Sequence, residues 1–163
     1  MDISKNQVRF TQELLGNKQN VVGGSQNLPF KENSLNCVFM VEVLEHIPPE
    51  DAEKSLVSIY RTLKRGGIFL LTTPNYRSLW PLIEFFWNKV NPINYNEQHI
   101  NKQSIGKLRE NLVKCGFKNI DVETIFIISP FLSLFSKKLA ERFFRIEKKL
   151  NHSGNLIILK AEK

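Results

Sequence analysis

The sequence is short of several things, and each shortage excludes a class of protein. It has two cysteines, Cys37 and Cys115, among its 163 residues and no Cys-x-x-Cys or Cys/His ligand spacing. A disulfide framework and a zinc-finger architecture are therefore excluded. No apolar run approaches the roughly eighteen residues of a membrane-spanning helix, and Met1 to Asn6 has neither the basic flank nor the apolar stretch of a secretory signal. These features lead us to expect a cytoplasmic protein whose cysteines are reduced, buried thiols. There is no internal repeat, low-complexity tract or Gly/Ser linker, so residues 1–163 are expected to form a single unit.

What is present is an alternation of elements. Ser4 with Gln7 makes a capping-box start for a helix through Val8, Thr11 and Leu15, stopped at Gly16. Asn20 to Val22 is a short strand candidate. Cys37 to Val41 is a continuous apolar run, the pattern of a strand buried on both faces. Pro48 and Pro49 open a helix with Ala52, Leu56, Ile59, Tyr60 and Leu63 on one face, acids at its start and cations at its end, expected to terminate at Gly66. Gly67 to Thr73 reads as a second buried strand closed by Pro74-Asn75. A helix from about Gln103 to Cys115 follows, then an alternating strand at Ile120, Val122, Thr124 and Phe126, a helical insertion over residues 129–152, and a last strand at Leu156 to Leu159. This order implies an α/β fold with a mainly parallel sheet whose last strand can turn back. Ligands in such sheets bind beyond the carboxyl ends of the strands, here Glu42 to His46 and Pro74-Asn75.

The series Leu28-Pro29-Phe30, Asn33-Ser34-Leu35-Asn36-Cys37-Val38, Glu42-Val43-Leu44-Glu45-His46-Ile47, Leu63-Lys64-Arg65-Gly66-Gly67 and Thr72-Thr73-Pro74-Asn75 resembles the class I S-adenosylmethionine-dependent methyltransferase superfamily. The resemblance runs from Asp2 to about Val122 and implies a Rossmann-like sheet with an antiparallel last strand. It implies S-adenosylmethionine as cofactor and methyl transfer to a small-molecule acceptor, an oxygen of a lipid-linked, quinone or saccharide substrate. In its register Asp2 matches the acid that binds the ribose hydroxyls, and Ser25 and Gln26 stand beside the adenine, with Val41 at the end of the neighbouring strand. An Asp two residues before a helix also caps it, so Asp2 keeps both readings. Gly24 stands where relatives carry an acid, and the family's Gly-rich turn, first strand and first helix have no counterpart. The expectation is an N-terminally truncated domain. The alternative is a non-catalytic remnant that binds a partner or a membrane, or associates with itself through the sheet edge left open at Cys37 to Val41.

Glu45, His46 and His99 are the candidate catalytic residues. Methyl transfer needs an aligned acceptor and removal of its proton, and an imidazole beside carboxylates suits the second task. Glu42-x-x-Glu45-His46 is also similar to the cation-binding sequence of ubiquinone-biosynthesis O-methyltransferases. Relatives without a metal carry the same residues, so no metal is assigned. The net charge of +7 chooses no partner by itself. Aromatics and cations do not interleave densely, so no nucleic acid is expected. Over Ser136 to Leu150, Leu139, Phe143, Ile146 and Leu150 share one helical face opposite a basic one. Such a helix either lies on an anionic membrane or covers the sheet with its cations solvated.

Overall fold

A computed structural model describes residues 1–16, 19–90, 95–133, 135–149 and 154–163. The side chains of Trp87 and Tyr95, and Leu150 with the end of the expected insertion, lie outside what is described.

Helix α1 (Lys5–Leu15) begins where Ser4 accepts a hydrogen bond from the Gln7 amide and ends at Gly16 in the left-handed conformation. No strand forms at Asn20 to Val22. A single parallel bridge joins Val22 to Asp2, with Asp2 N–H donating to the Val21 carbonyl at 3.1 Å and Gly23 N–H to the Asp2 carbonyl at 3.0 Å. Three residues are too few for a ladder, and Asp2 supplies one partner position.

The sheet holds strands β1 (Leu35–Val41), β2 (Leu63–Pro74), β3 (Lys118–Ile125) and β4 (Leu156–Glu162) in the order β1-β2-β4-β3. β1 and β2 are parallel, while β4 runs antiparallel to both β2 and β3. The last strand thus turns back, as expected. Helix α2 (Pro49–Thr62) makes the crossover from β1 to β2 and buries Ala52, Leu56 and Ile59. It stops earlier than the sequence suggests. Thr62 ends the helix, and Gly66, at φ 74°, lies inside β2 at an irregularity in the pairing with β1. There the bulge absorbs four residues of β2 between Leu63 and Ile68, and the glycine takes the positive φ that this requires.

α2 and helix α5 (Ile105–Cys115) cover one face of the sheet. Leu56, Ile59, Leu108 and Leu112 meet Met40, Phe69, Leu71, Leu159 and Ala161 there in one core. Arg61 ties the Leu28-Pro29-Phe30 turn to α2 by donating to the Leu28 and Phe30 carbonyls, and Ser58 Oγ accepts from Leu28 N–H. The other face of β1 is not covered among the described residues. Phe39 is 68 % and Val41 60 % exposed, and Cys37 is exposed as well. Two expectations are corrected here: β1 is not buried on both faces, and Cys37 is not a buried thiol. Its apolar run reflects a side that no described element reaches. Cys115 is partly buried, and burial pushes its thiol up.

Four further helices lie at the carboxyl-end side of β2 or between β3 and β4: α3 (Trp80–Val90), α4 (Tyr95–Gln98), α6 (Ser129–Leu132) and α7 (Lys137–Glu147). Within the described residues no helix is long and apolar enough to cross a membrane.

Candidate functional site

β1 ends by leaving the sheet abruptly. Glu42 sits in the left-handed region at φ 49°, unusual for a residue with a side chain, and its carboxylate accepts from Thr72 Oγ at 2.8 Å. The backbone then makes a short 3₁₀ turn over Leu44–His46. That turn sends Glu45 inward and His46 outward.

Glu45 is 1 % exposed. Its Oε2 accepts from Thr73 Oγ at 2.9 Å, at the end of β2, and burial pushes its carboxyl above the usual range. Its backbone carbonyl accepts from Asn101 N–H, which holds the segment after α4 against the turn. That segment carries His99. Its Nδ1 lies 2.6 Å from the Tyr76 hydroxyl and 2.9 Å from Glu84 Oε1, and Tyr76 donates to the same carboxylate oxygen. With Nδ1–H donating to Glu84, Nε2 is the nitrogen with the lone pair. Desolvation lowers the His99 pKa, against the pull of Glu84, so the ring is neutral near pH 7. His46 donates from Nδ1 to the Gln98 carbonyl at 3.1 Å, which leaves its Nε2 facing Glu45 Oε1 at 3.9 Å. The two imidazoles are 4.9 Å apart.

The structure therefore brings Glu45, His46 and His99 together. One ligand atom from each falls within 4.8 Å of the others. The chemistry of the set fits a divalent cation: a carboxylate and two imidazoles, with a backbone carbonyl and a carboxylate behind the rings. Glu42 is not part of it. Bound to Thr72, it departs from the Glu42, Glu45 and His46 set that the sequence suggested. A cation held by Glu45, His46 and His99 would act as a Lewis acid on an oxygen bound to it, and without one a neutral imidazole is a group able to take up a proton.

Beside this cluster a cavity of about 670 Å³ runs along the outer edge of β1. Asp2, Gly24, Ser25, Gln26, Val41 and His46 all line it, so the residues expected to hold the cofactor share one space with one catalytic candidate. Asp2 Oδ1 accepts from Ser4 N–H at 2.8 Å, which makes it a cap for α1 as well as a wall of the cavity. Ser25 Oγ is hydrogen-bonded to Ser55 Oγ at 2.8 Å. Glu45 and His99 stand behind His46 and do not line the cavity. A smaller pocket of about 240 Å³, lined by Glu42, Trp80, Ile83, Phe126, Pro130 and Leu156, opens on the other side of Glu42.

A methyltransferase domain model matches residues 1–71. Over 76 residues the chain is 33 % identical to the ubiquinone/menaquinone biosynthesis C-methyltransferase UbiE of Legionella pneumophila, a match covering 45 % of this chain and 30 % of that one. Among solved structures, a SAM-dependent methyltransferase from Archaeoglobus fulgidus superposes with a TM-score of 0.68 at 20 % identity, over 99 % of this chain and 73 % of the other. The chain is built on the class I methyltransferase fold. Phosphoethanolamine N-methyltransferase 2 of Haemonchus contortus, in complex with S-adenosyl-L-methionine, shares that fold with a TM-score of 0.63 at 20 % identity, over 99 % of this chain and 42 % of the other. The chain thus spans less than a third of the length of the UbiE relative that it matches.

Placed on this methyltransferase fold, the site contains residues that the sequence did not single out: Thr73, Tyr76 and Glu84. Glu84 did leave a signal. It is the only acid in α3 (Trp80–Val90), it lies within the apolar run Trp80 to Trp87, and it is 3 % exposed. A carboxylate so placed requires a hydrogen-bonding partner, and His99 provides it.

Proposed function

We propose that the chain forms part of an S-adenosylmethionine-dependent methyltransferase acting on a small molecule through an oxygen of a lipid-linked, quinone or saccharide acceptor. One observation carries this reading: a single cavity joins Asp2, Ser25, Gln26 and Val41 to His46, the member of the Glu45, His46 and His99 cluster that lines it. Asp2 would accept from the ribose hydroxyls and Ser25 and Gln26 would flank the adenine of the cofactor, which would supply the methyl group. His46 and His99 are the acceptor-side groups. His46 takes the acceptor proton at Nε2 while the Gln98 carbonyl holds its other nitrogen, and His99, fixed by Glu84 and Tyr76, keeps a neutral ring beside it. The mainly apolar walls of the smaller pocket, with Glu42 and Asn155 as its polar residues, favour an acceptor with a greasy body. The UbiE relative is named for quinone biosynthesis and for methylation at carbon, so the acceptor atom is part of the test.

Calorimetry with S-adenosylmethionine and a methyl-transfer assay with a quinol or lipid acceptor test the reading. Asp2→Asn keeps a cap for Ser4 N–H and removes the charge. It is expected to weaken cofactor affinity about tenfold, the difference between a charged and a neutral hydrogen bond. His46→Ala and His99→Ala are expected to lower turnover more than cofactor affinity. Full activity in both histidine variants, or unchanged affinity in Asp2→Asn, refutes these roles, and mass spectrometry of the product distinguishes an O-methyl from a C-methyl group.

A further inference from the structure

Helix α7 divides into three stripes. Ala140, Phe144 and Glu147 face inward: Ala140 and Glu147 are buried, and Phe144 stacks on Phe126 with centroids 5.5 Å apart. One helical step round, Leu139, Phe143 and Ile146 face solvent at 39 %, 38 % and 51 % exposure, and Phe135, one turn earlier, is 86 % exposed. A further step round, Lys138, Arg142, Arg145 and Lys149 make an exposed basic stripe, flanked by Lys137 and Lys148. The helix is therefore attached to the protein by one stripe only. Its apolar stripe is not the one that covers the fold.

The charge is arranged to match. Of the two acids in the segment, Glu147 is turned inward, where its carboxylate accepts from Ser129 Oγ and from the Ile128 and Ser129 amides at the start of α6. Burial pushes this carboxyl up, but those hydrogen bonds outweigh it and hold Glu147 below the usual range, so it stays ionised and turned away from solvent. Six cations face outward against Glu141 alone.

We propose that α7, with Phe135, docks the protein on an anionic phospholipid bilayer, Phe135, Leu139, Phe143 and Ile146 entering the headgroup region while the basic stripe pairs with lipid phosphates. An amphipathic helix of this kind lies in the interface plane with its apolar side sunk ~5–10 Å. Charge complementarity selects the occupant. A purely apolar partner would leave the adjoining cations unmatched, whereas an anionic membrane offers hydrocarbon and phosphate side by side. The interaction is independent of methyl transfer. It would place the smaller pocket, whose wall includes Pro130 of α6, near the lipid surface from which a greasy acceptor arrives.

The test is flotation of the full chain with vesicles of phosphatidylcholine alone or phosphatidylcholine mixed with phosphatidylglycerol. Binding is expected only to the anionic vesicles and is expected to weaken as salt is raised. Leu139→Glu with Phe143→Glu should abolish it, with the melting temperature measured alongside because each side chain is more than half covered. Arg142→Gln with Arg145→Gln, a pair still safer for folding, should weaken it about 30-fold, at roughly tenfold per 1.4 kcal/mol and about 1 kcal/mol per cation. Equal binding to neutral and anionic vesicles, no binding to either, or parental binding by the Leu139/Phe143 variant overturns the proposal. Capture by polyglutamate without capture by vesicles also overturns it, and reassigns the stripe to an acidic protein.

Discussion

Thr73→Val probes the buried end of the site. Thr73 is fully buried and donates from Oγ to Glu45 Oε2 at 2.9 Å, while Glu45 is itself 1 % exposed. Valine keeps the shape and deletes the donor. A hydrogen bond to a charged group contributes about 1.5–3 kcal/mol, and losing it leaves an ionised carboxylate with one contact fewer in a place that water does not reach. Glu45 can escape part of this cost by taking up a proton, and its pKa already points that way, raised chiefly by burial. A carboxyl whose folded pKa lies above its unfolded value contributes stability that is fully present below the unfolded value and is lost as pH rises through the folded one. Thr73→Val removes a group that holds this pKa down, so it widens the loss on the alkaline side. The expected penalty is about 2 kcal/mol at pH 7, or about 4–8 °C in melting temperature for a chain of this size, and distinctly less at a pH about one unit below the ordinary carboxylate value, where a carboxyl raised above that value is protonated. Thermal melts followed by circular dichroism at the two pH values measure it. An unchanged melting temperature at pH 7, or equal losses at both, would refute the account of Glu45 as a buried carboxylate held by Thr73.

Glu84→Gln removes the charge that opposes desolvation at His99, so the His99 pKa is expected to fall further and the acid limb of the activity profile to move to lower pH, read from the imidazole proton resonance and from rates; an unmoved resonance would contradict the pairing. Stability follows the same sign: a histidine with a depressed pKa contributes stability present above its unfolded value and lost as pH falls through the folded one, and Glu84→Gln deepens that acid loss. The cluster of Glu45, His46 and His99 is expected to work by proton transfer, so a strong chelator should leave methyl transfer unchanged, and loss of activity restored by added divalent cation would reassign the three as metal ligands. The edge and face of β1 that no described residue covers should drive self-association of the chain, relieved by Phe39→Lys; light scattering showing a monomer, with β1 amides as protected from exchange as those of β2, would count against it.

Much of this protein was legible from local physics. Ser4 as a cap, Gly16 as a stop, the apolar face of α2 and the alternation in β3 depend on neighbours two to four residues away, so the chain states them directly. The motif order carried the fold and placed Glu45 and His46 where a strand leaves the sheet. Burial was not legible in the same way. The run Cys37 to Val41 looks like a strand covered on both faces, yet whether anything covers it is a property of other elements, and here Phe39 and Val41 are left open. Asn20 to Val22 likewise had strand composition and only one residue to pair with. The site shows the division most clearly. Sequence named Glu45, His46 and His99 one by one, but 53 positions separate His46 from His99, and only the return of the chain after α4, pinned by the Asn101 amide on the Glu45 carbonyl, brings the rings to 4.9 Å. Glu84 and Thr73 acquire their roles the same way, because a hydrogen bond between distant side chains is fixed by packing and leaves no periodic trace. For α7 the sequence supplied an apolar and a basic stripe, and the tertiary structure decided that the fold is held by a third: Ala140, Phe144 and Glu147 fill the inward face, so Leu139, Phe143 and Ile146 are turned toward solvent.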